Sequence, residues 1–450
     1  MYDLGIIGAG SAGYVAAERA GLAGLRVVLF DKGKLGGVCL NEGCIPTKAL
    51  LYAAKLYDHA REGAPYGIQT REVTFDFVKM MARKNKVVKK LVAGVAAKMK
   101  KAGVEMVQSE ARISARKSDH LVISAGDQSY LCRNILLATG AQAVLPPIKG
   151  LDRENILTST EILNITELPE SLNIIGGGVI GLEFASLFNS LGTKVNVFEM
   201  MEEILPGTDP EFSGMLRKEL SRKGVGFYTA TRVTEVRNQD VLFKTKDGNE
   251  ETVSADKLLV SVGRRPDLAR LGLDESGVIY SQDGVRIDAF CRTNIPNIYA
   301  AGDITGFSQL AHTASREGTV AVNHILGKTD RIRYEAVPNV VYTNPEIAWV
   351  GLTEEEAKTK GIPVKILKLP MGFAGRFIVE NEGKNGMAKM IIGEKYGEVL
   401  GVHLYGNPAS ELIHSAAIAI EMEMRVEELQ QIIFPHPTVS EIIHEIAYEA

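Results

Sequence analysis

The chain has 450 residues, 45% of them hydrophobic and 24% charged, with a formal net charge of −4. That length exceeds what one hydrophobic core serves and calls for several domains, and the charge balance offers no bulk positive field for nucleic acid. Four cysteines are too few for a disulfide scaffold, no basic leader precedes the first apolar run, and no apolar stretch reaches the ~18 residues of a membrane span, so a cytoplasmic chain is expected.

From Tyr2 the strand-like run YDLGIIG leads into GIIGAGSAG, which sets Gly8, Gly10 and Gly13 at the G-x-G-x-x-G spacing. An Ala-rich helical stretch from Ser11 to Gly24 follows, and then the strand LRVVLF, whose run closes on Asp31. In such a unit the first glycine makes the turn, the second admits a pyrophosphate, the third lets helix and strand pack, and the acid accepts from a ribose. The helix N-terminus attracts the phosphates.

Directly afterwards stands GGVCLNEGCIPTK, Gly36 to Lys48, with four residues between Cys39 and Cys44. Such a pair can be structural, half of a metal site or a redox couple. Zinc needs about four ligands, and no second Cys/His pair at metal spacing appears. Further on, the basic run from Arg83 to Lys101 carries Met81, Val88, Val92, Val95 and Met99 on one helical face. Its lysines, Lys84 with them, are therefore expected on a solvated outer face rather than on nucleic acid.

The second fingerprint, IIGGGVIG, supplies Gly176, Gly178 and Gly181. A helical stretch to Gly192 and the strand KVNVF, ending at Glu199, complete it. Each of these positions lies 168 residues after its counterpart in the first unit, without a gap. Glu199 is followed by Met200 and Met201 rather than by an arginine. A carboxylate there suits a free ribose 2′-hydroxyl and repels a 2′-phosphate, so this site should take NAD rather than NADP. The first unit leads straight to the cysteines. A dithiol gives up two electrons through sulfur and a nicotinamide carries hydride, and a flavin passes between the two, so the first site should hold FAD.

Toward the C-terminus, NPEIAWVGLTEEEAKTKG and the stretch from Gly397 to Met424 read as strands interleaved with helices, with Thr353 as a helix N-cap. Cys132 and Cys291 read as solitary buried thiols, and His312, His403 and His414 as packing or surface residues. His436 lies between Pro435 and Pro437, and Glu441 follows five residues later. A lone histidine is commonly just a surface group. Here a carboxylate is placed to orient it as a base.

Taken together these segments resemble the pyridine nucleotide–disulfide oxidoreductases over nearly the whole chain. GGVCLNEGCIPTKALL resembles the redox-active disulfide segment, ILLATGAQ the crossover out of the FAD domain, and SVGRRP the exit from the NAD domain. TNIPNIYAAGD resembles the second FAD motif, and FPHPTVSE the C-terminal catalytic signature. LAHTASREG is closer to the lipoyl-oxidising members than to the glutathione-reducing ones. Glu199 and a C-terminus without a cysteine pair also set the chain apart from glutathione- and mercuric-reductase-like relatives.

The resemblance implies an α/β fold: two Rossmann-like dinucleotide-binding domains and a C-terminal α+β dimerisation domain. The expected boundaries are an FAD-binding domain at 1–145, an NAD-binding domain at 146–264, a central segment returning to FAD at 265–333 and an interface domain at 334–450. It implies Cys39 as the thiol that exchanges with substrate, Cys44 as the thiol facing the flavin, and Lys48 near the flavin's reactive edge, paired with Glu183. His436 and Glu441 are expected to serve the other subunit of a homodimer. FAD contacts are expected from Gly8, Gly10, Gly13, Asp31, Lys48, Thr139, Gly140, Asp303 and Ala311. NAD contacts are expected from Gly176, Gly178, Gly181, Glu183, Glu199, Val233 and Gly263. The partner would be a lipoyl-bearing protein of a 2-oxo acid dehydrogenase complex or of glycine cleavage. Asp31 departs from the usual glutamate by one methylene, which puts its ribose contact in question, and Glu42 adds a carboxylate between the cysteines where the family often has none.

Overall fold

The computed structural model describes residues 1–117, 120–151 and 156–450. The strand Tyr2–Ile7 is flanked on both sides by parallel strands, Val27–Asp31 and Gln128–Leu137. An interior parallel strand is covered on both faces, which is why its sequence is a continuous apolar run instead of an alternating one. Glu105–Gln108 extends this sheet beyond Val27–Asp31, and the antiparallel strands His120–Ala125 and Ala111–Lys117 extend it on the other side. A strand from far along the chain, Ile298–Ala300, pairs in parallel with Gln128–Leu137. The helix that follows it, Ala311–Ile325, packs on Ser11–Leu22.

A second parallel sheet repeats the arrangement. Ser171–Ile175 lies between Lys194–Phe198 and Lys257–Val260, with Gly226–Tyr228 and Ile156–Leu157 outside them. Its helix spans Val179–Ser190, and the helix of the first unit spans Ser11–Leu22, so both begin and end 168 residues apart. Each stops two residues before a glycine, Gly24 at φ +86° and Gly192 at φ +94°. Left-handed backbone is readily adopted there by glycine alone, which fixes the helix ends.

The C-terminal sheet is antiparallel, in the order Asn339–Val341, Ile347–Gly351, Val399–Tyr405, Met387–Gly393, Val364–Pro370. Leu412 and Ile413 of one helix and Ile442 and Ile443 of another close its core over Val350, Met390 and Val402. Thr353 caps the helix Glu354–Thr359 through a reciprocal pair with Glu356. The fold is thus α/β with two Rossmann-like units and a C-terminal α+β domain.

One expectation fails. Met99 and Val95 are buried on the helix Phe77–Lys101, but so is Lys84, which is 3% exposed. Its ammonium donates to the carbonyl of Leu163. Lys84 falls on the same helical stripe as Met81, Val88 and Val95, and a long stem packs apolar surface while its head finds a carbonyl. Burial pushes its pKa down. Cys132 and Cys291 are fully buried. His414 is exposed, and His403 is buried with Nε2 2.9 Å from the Leu352 carbonyl oxygen. The Nε2 of His312 lies 2.9 Å from the Pro338 carbonyl oxygen.

Candidate active site

A continuous cavity of about 1660 Å³ joins the two fingerprints. At both, a Cβ on the third glycine would lie against the carbonyl oxygen of the first: 1.8 Å between Gly13 and Gly8, 2.1 Å between Gly181 and Gly176. The second glycines differ in kind. A Cβ on Gly10 or Gly178 would meet nothing within 4 Å, because both residues border the cavity. Neither helix N-terminus carries a side-chain cap, so its first N–H groups remain available to phosphates. The acids also match. Asp31 accepts from the amides of Ala9 and Gly33, both at 2.6 Å. Glu199 accepts from the corresponding amides of Gly177 and Met201, at 2.7 and 2.8 Å. The shorter side chain of Asp31 therefore fills the same place as the longer one of Glu199. Both acids line the cavity, and two such cradles fit two dinucleotides.

The cysteines stand on the cavity wall between the cradles. Gly36 and Gly37 take φ of +95° and +60°. A Cβ on Gly37 would lie 2.7 Å from the Cα of Gly10, so only glycine lets the redox segment sit this close to the first cradle. Cys39 belongs to the short helix Gly37–Glu42, and Cys44 is the first residue of the 18-residue helix Cys44–Arg61. A thiol at a helix N-terminus gains from the helix dipole. Both cysteines are thiols here. The hydrogen bond from Cys39 lowers the Cys44 thiol to about 7, against the opposing effect of burial and with help from the Lys48 ammonium. The same bond and burial push Cys39 up, so Cys44 is the one that ionises first. Glu42 lines the cavity beside them.

Lys48 lies one turn after Cys44. Its ammonium is 2.9 and 2.7 Å from the two carboxylate oxygens of Glu183, on the second fingerprint helix. Glu183 is 3% exposed and also accepts from the Tyr342 amide at 3.2 Å. One ion pair thus bolts the cysteine helix to the second cradle.

The family described as pyridine nucleotide-disulphide oxidoreductase matches residues 2–318, and its dimerisation domain matches residues 337–447. The chain belongs to this family. It is 40% identical to a dihydrolipoyl dehydrogenase of Geobacillus stearothermophilus, over 98% of this chain and 94% of that protein. A dihydrolipoyl dehydrogenase of Bacillus subtilis is 38% identical over 100% and 98%. Among solved structures, LpdA from Mycobacterium tuberculosis superposes with a TM-score of 0.91 at 27% identity, over 99% of each chain. The HOCl-induced flavoprotein disulfide reductase RclA from Escherichia coli does so at 0.86 and 29%, also over 99% of each chain.

As a pyridine nucleotide-disulphide oxidoreductase, the chain brings most of the expected positions to this one cavity. Thr139 and Gly140 line it beside the first cradle, Val233 and Gly263 beside the second, and Asp303 and Ala311 line it too. Burial raises the Asp303 carboxyl, opposed by the Arg264 guanidinium. Gly13 and Gly181 do not line it, since their part is the close packing of helix on strand. His436 and Glu441 are not on it either. They face each other at 2.9 Å, and the second Glu441 oxygen accepts from the Thr438 amide at 2.9 Å. Those two contacts, the amide first, hold the Glu441 carboxyl below its usual range. The His436 side chain is 78% exposed, and Ile433 beside it is 94% exposed. Both lie in the segment matched by the dimerisation domain.

Two residues, one lining the site and one behind it, were not singled out from sequence. Tyr342 sits with its ring 4.5 Å from the Lys48 ammonium. Glu317 is fully buried, accepting from the Gly302 amide and, at 2.6 Å, from the Tyr334 hydroxyl. Burial pushes Glu317 up to about 7. Its signal was there to read: an acid on the apolar stripe of the helix carrying Ala314 and Ala321. Among the described residues, no helix is long and apolar enough to cross a membrane.

Proposed function

We propose that this protein is a dihydrolipoyl dehydrogenase, an FAD-containing enzyme that oxidises protein-bound dihydrolipoyl groups with NAD+ as acceptor. The observation that carries the reading is the position of Cys39 and Cys44 on one cavity wall between two dinucleotide cradles. FAD, when bound, supplies a two-electron acceptor for a dithiol and a hydride donor for NAD+. The protein's own part is thiol chemistry. With the pair as a disulfide, a substrate thiolate attacks the Cys39 sulfur, forming a mixed disulfide and releasing Cys44 as thiolate. The second substrate thiol then displaces Cys39 and closes the lipoyl ring, so the substrate loses two electrons and the protein pair gains them. Cys44 is the better leaving group because the Lys48 ammonium and the N-terminus of its own helix favour its thiolate.

His436, oriented by Glu441, would take the substrate's proton. Its exposure and its distance from its own chain's cavity support a role at the other subunit's cysteines, so each active site would be completed by the dimer. The division of the chain at about 145, 264 and 333, the assigned cofactor contacts, a lipoyl-bearing partner of a 2-oxo acid dehydrogenase complex or of glycine cleavage, and a cytoplasmic place belong to the same reading. The test is one assay of the purified yellow protein. NAD+ reduction by dihydrolipoamide is expected. NADPH-driven reduction of glutathione disulfide or mercuric ion in its place would overturn the assignment.

A further inference from the structure

The segment from Tyr342 to Glu346 leaves the C-terminal sheet and reaches back to both helices that frame the redox pair. The Tyr342 amide donates to Glu183, and the Asn344 amide donates to the Ser186 hydroxyl at 3.2 Å. The Asn344 side chain donates to Asp58, which also accepts from Ser190 at 2.8 Å. Lys55 pairs with Glu346 at 3.3 Å. Asp58 and Lys55 lie on the helix that begins at Cys44, and Glu183, Ser186 and Ser190 lie on the second fingerprint helix. The clasp is therefore threefold: dimerisation domain, cysteine helix and nucleotide helix. At its tip the Tyr342 ring borders the cavity, with the Lys48 ammonium 4.5 Å from its centroid.

We propose that Tyr342 is a positioning residue: its ring face and its amide hold Lys48 and Glu183 together, so that the C-terminal domain sets where the ammonium stands relative to Cys44. The inference rests on the reading of Cys44 as the thiol that ionises. An aromatic face attracts an ammonium through its quadrupole, more strongly as water is excluded. Glu183 alone fixes one side of the ammonium, and the ring supplies the other. The groups that act on Cys44 are the Cys39 thiol, Lys48 and Glu183, and the carboxylates near Tyr342 are Glu183, Glu346 and Glu411. Without the ring, Lys48 is free to swing away from the cavity wall, and its stabilisation of the Cys44 thiolate weakens.

The experiment compares the FAD-loaded wild type with Y342F, Y342M and Y342L, each reduced anaerobically. Iodoacetamide labelling of Cys44 is followed across pH by mass spectrometry, alongside FAD content and Tm. Y342F keeps the ring and should label as the wild type does. Y342M and Y342L should move the labelling midpoint up by about one pH unit, roughly a fivefold slower reaction at pH 7. Folded, FAD-loaded Y342M and Y342L that label like the wild type would overturn the role of Tyr342, and so would a Y342F midpoint shifted equally. If one of the two ringless variants does not fold, the other decides. A wild-type Cys44 with no midpoint near neutral pH would instead overturn the underlying assignment of the thiols, and the two failures are thereby distinguished.

Discussion

The Lys48 ammonium bridges both carboxylate oxygens of Glu183, 135 residues away in sequence, at 2.9 and 2.7 Å. This contact joins the helix that begins at Cys44 to the helix of the second cradle, so the redox pair and the nucleotide site share one support. Glu183→Gln keeps an oxygen for the Tyr342 amide and should cost about 1 kcal/mol, while Glu183→Ala strands a partly buried ammonium and should cost on the order of 3 kcal/mol. Denaturant unfolding of the two variants checks the order. Equal stabilities would mean the pair is held by the surrounding helices alone.

The thiols give a pH dependence with a definite sign. The Cys39 hydrogen bond is the largest cause that lowers Cys44 to about 7. The Cys44 thiolate is therefore present above about pH 7 and lost as pH falls through it. Cys39→Ser keeps a hydroxyl donor, and FAD-loaded C39S should show a long-wavelength thiolate–flavin band at neutral pH. Cys39→Ala removes the donor, so its band should appear only toward the ordinary thiol range near ~8.5. Absorbance titration reads both midpoints, and folded C39S that lacks the band would contradict the assignment of the two sulfurs.

Asp31 and Glu199 hold equivalent amides, so each should act on its own cofactor alone. Asp31→Ala loses two charge-assisted hydrogen bonds, each worth roughly 1.5–3 kcal/mol, and should purify with much less FAD. Glu199→Ala should retain its FAD, raise the KM for NAD+ at least tenfold and narrow the preference over NADP+. The absorbance ratio of flavin to protein, with steady-state kinetics, separates the two.

Glu317 offers a stability test. Its folded carboxyl is raised by burial from 4.5 to about 7. The stabilising proton is fully bound below pH 4.5 in both states, so the folded state loses relative stability as pH rises from about 4.5 through about 7. Over that window the loss is on the order of 3 kcal/mol. Glu317→Gln does not ionise and still offers an oxygen to the Gly302 amide. Its Tm should fall less than that of the wild type between those pH values, as scanning calorimetry at matched ionic strength would reveal. Parallel curves would place the carboxyl's ionisation elsewhere.

The amino-acid sequence by itself determined the two cradles. Gly8, Gly13 and Asp31, with their counterparts 168 residues on, act within a single strand–turn–helix–strand unit, and a local unit is written in local spacing. The same holds for Cys39 and Cys44 on the first cradle's wall, because Gly37 must touch Gly10. It holds for His436 with Glu441, separated by one tight turn, and for the cap at Thr353. The tertiary structure alone decided which side of a helix each long side chain serves. Lys84 read as solvated because lysine usually is, yet a carbonyl from Leu163 received it in the interior. Glu317 and Tyr342 gained their places from Gly302, Tyr334 and Lys48, partners that spacing within one element cannot reveal. Hydrophobic periodicity fixes a face. Only the elements packed against that face determine whether a polar group on it finds its hydrogen bonds, and so whether burying it is tolerated.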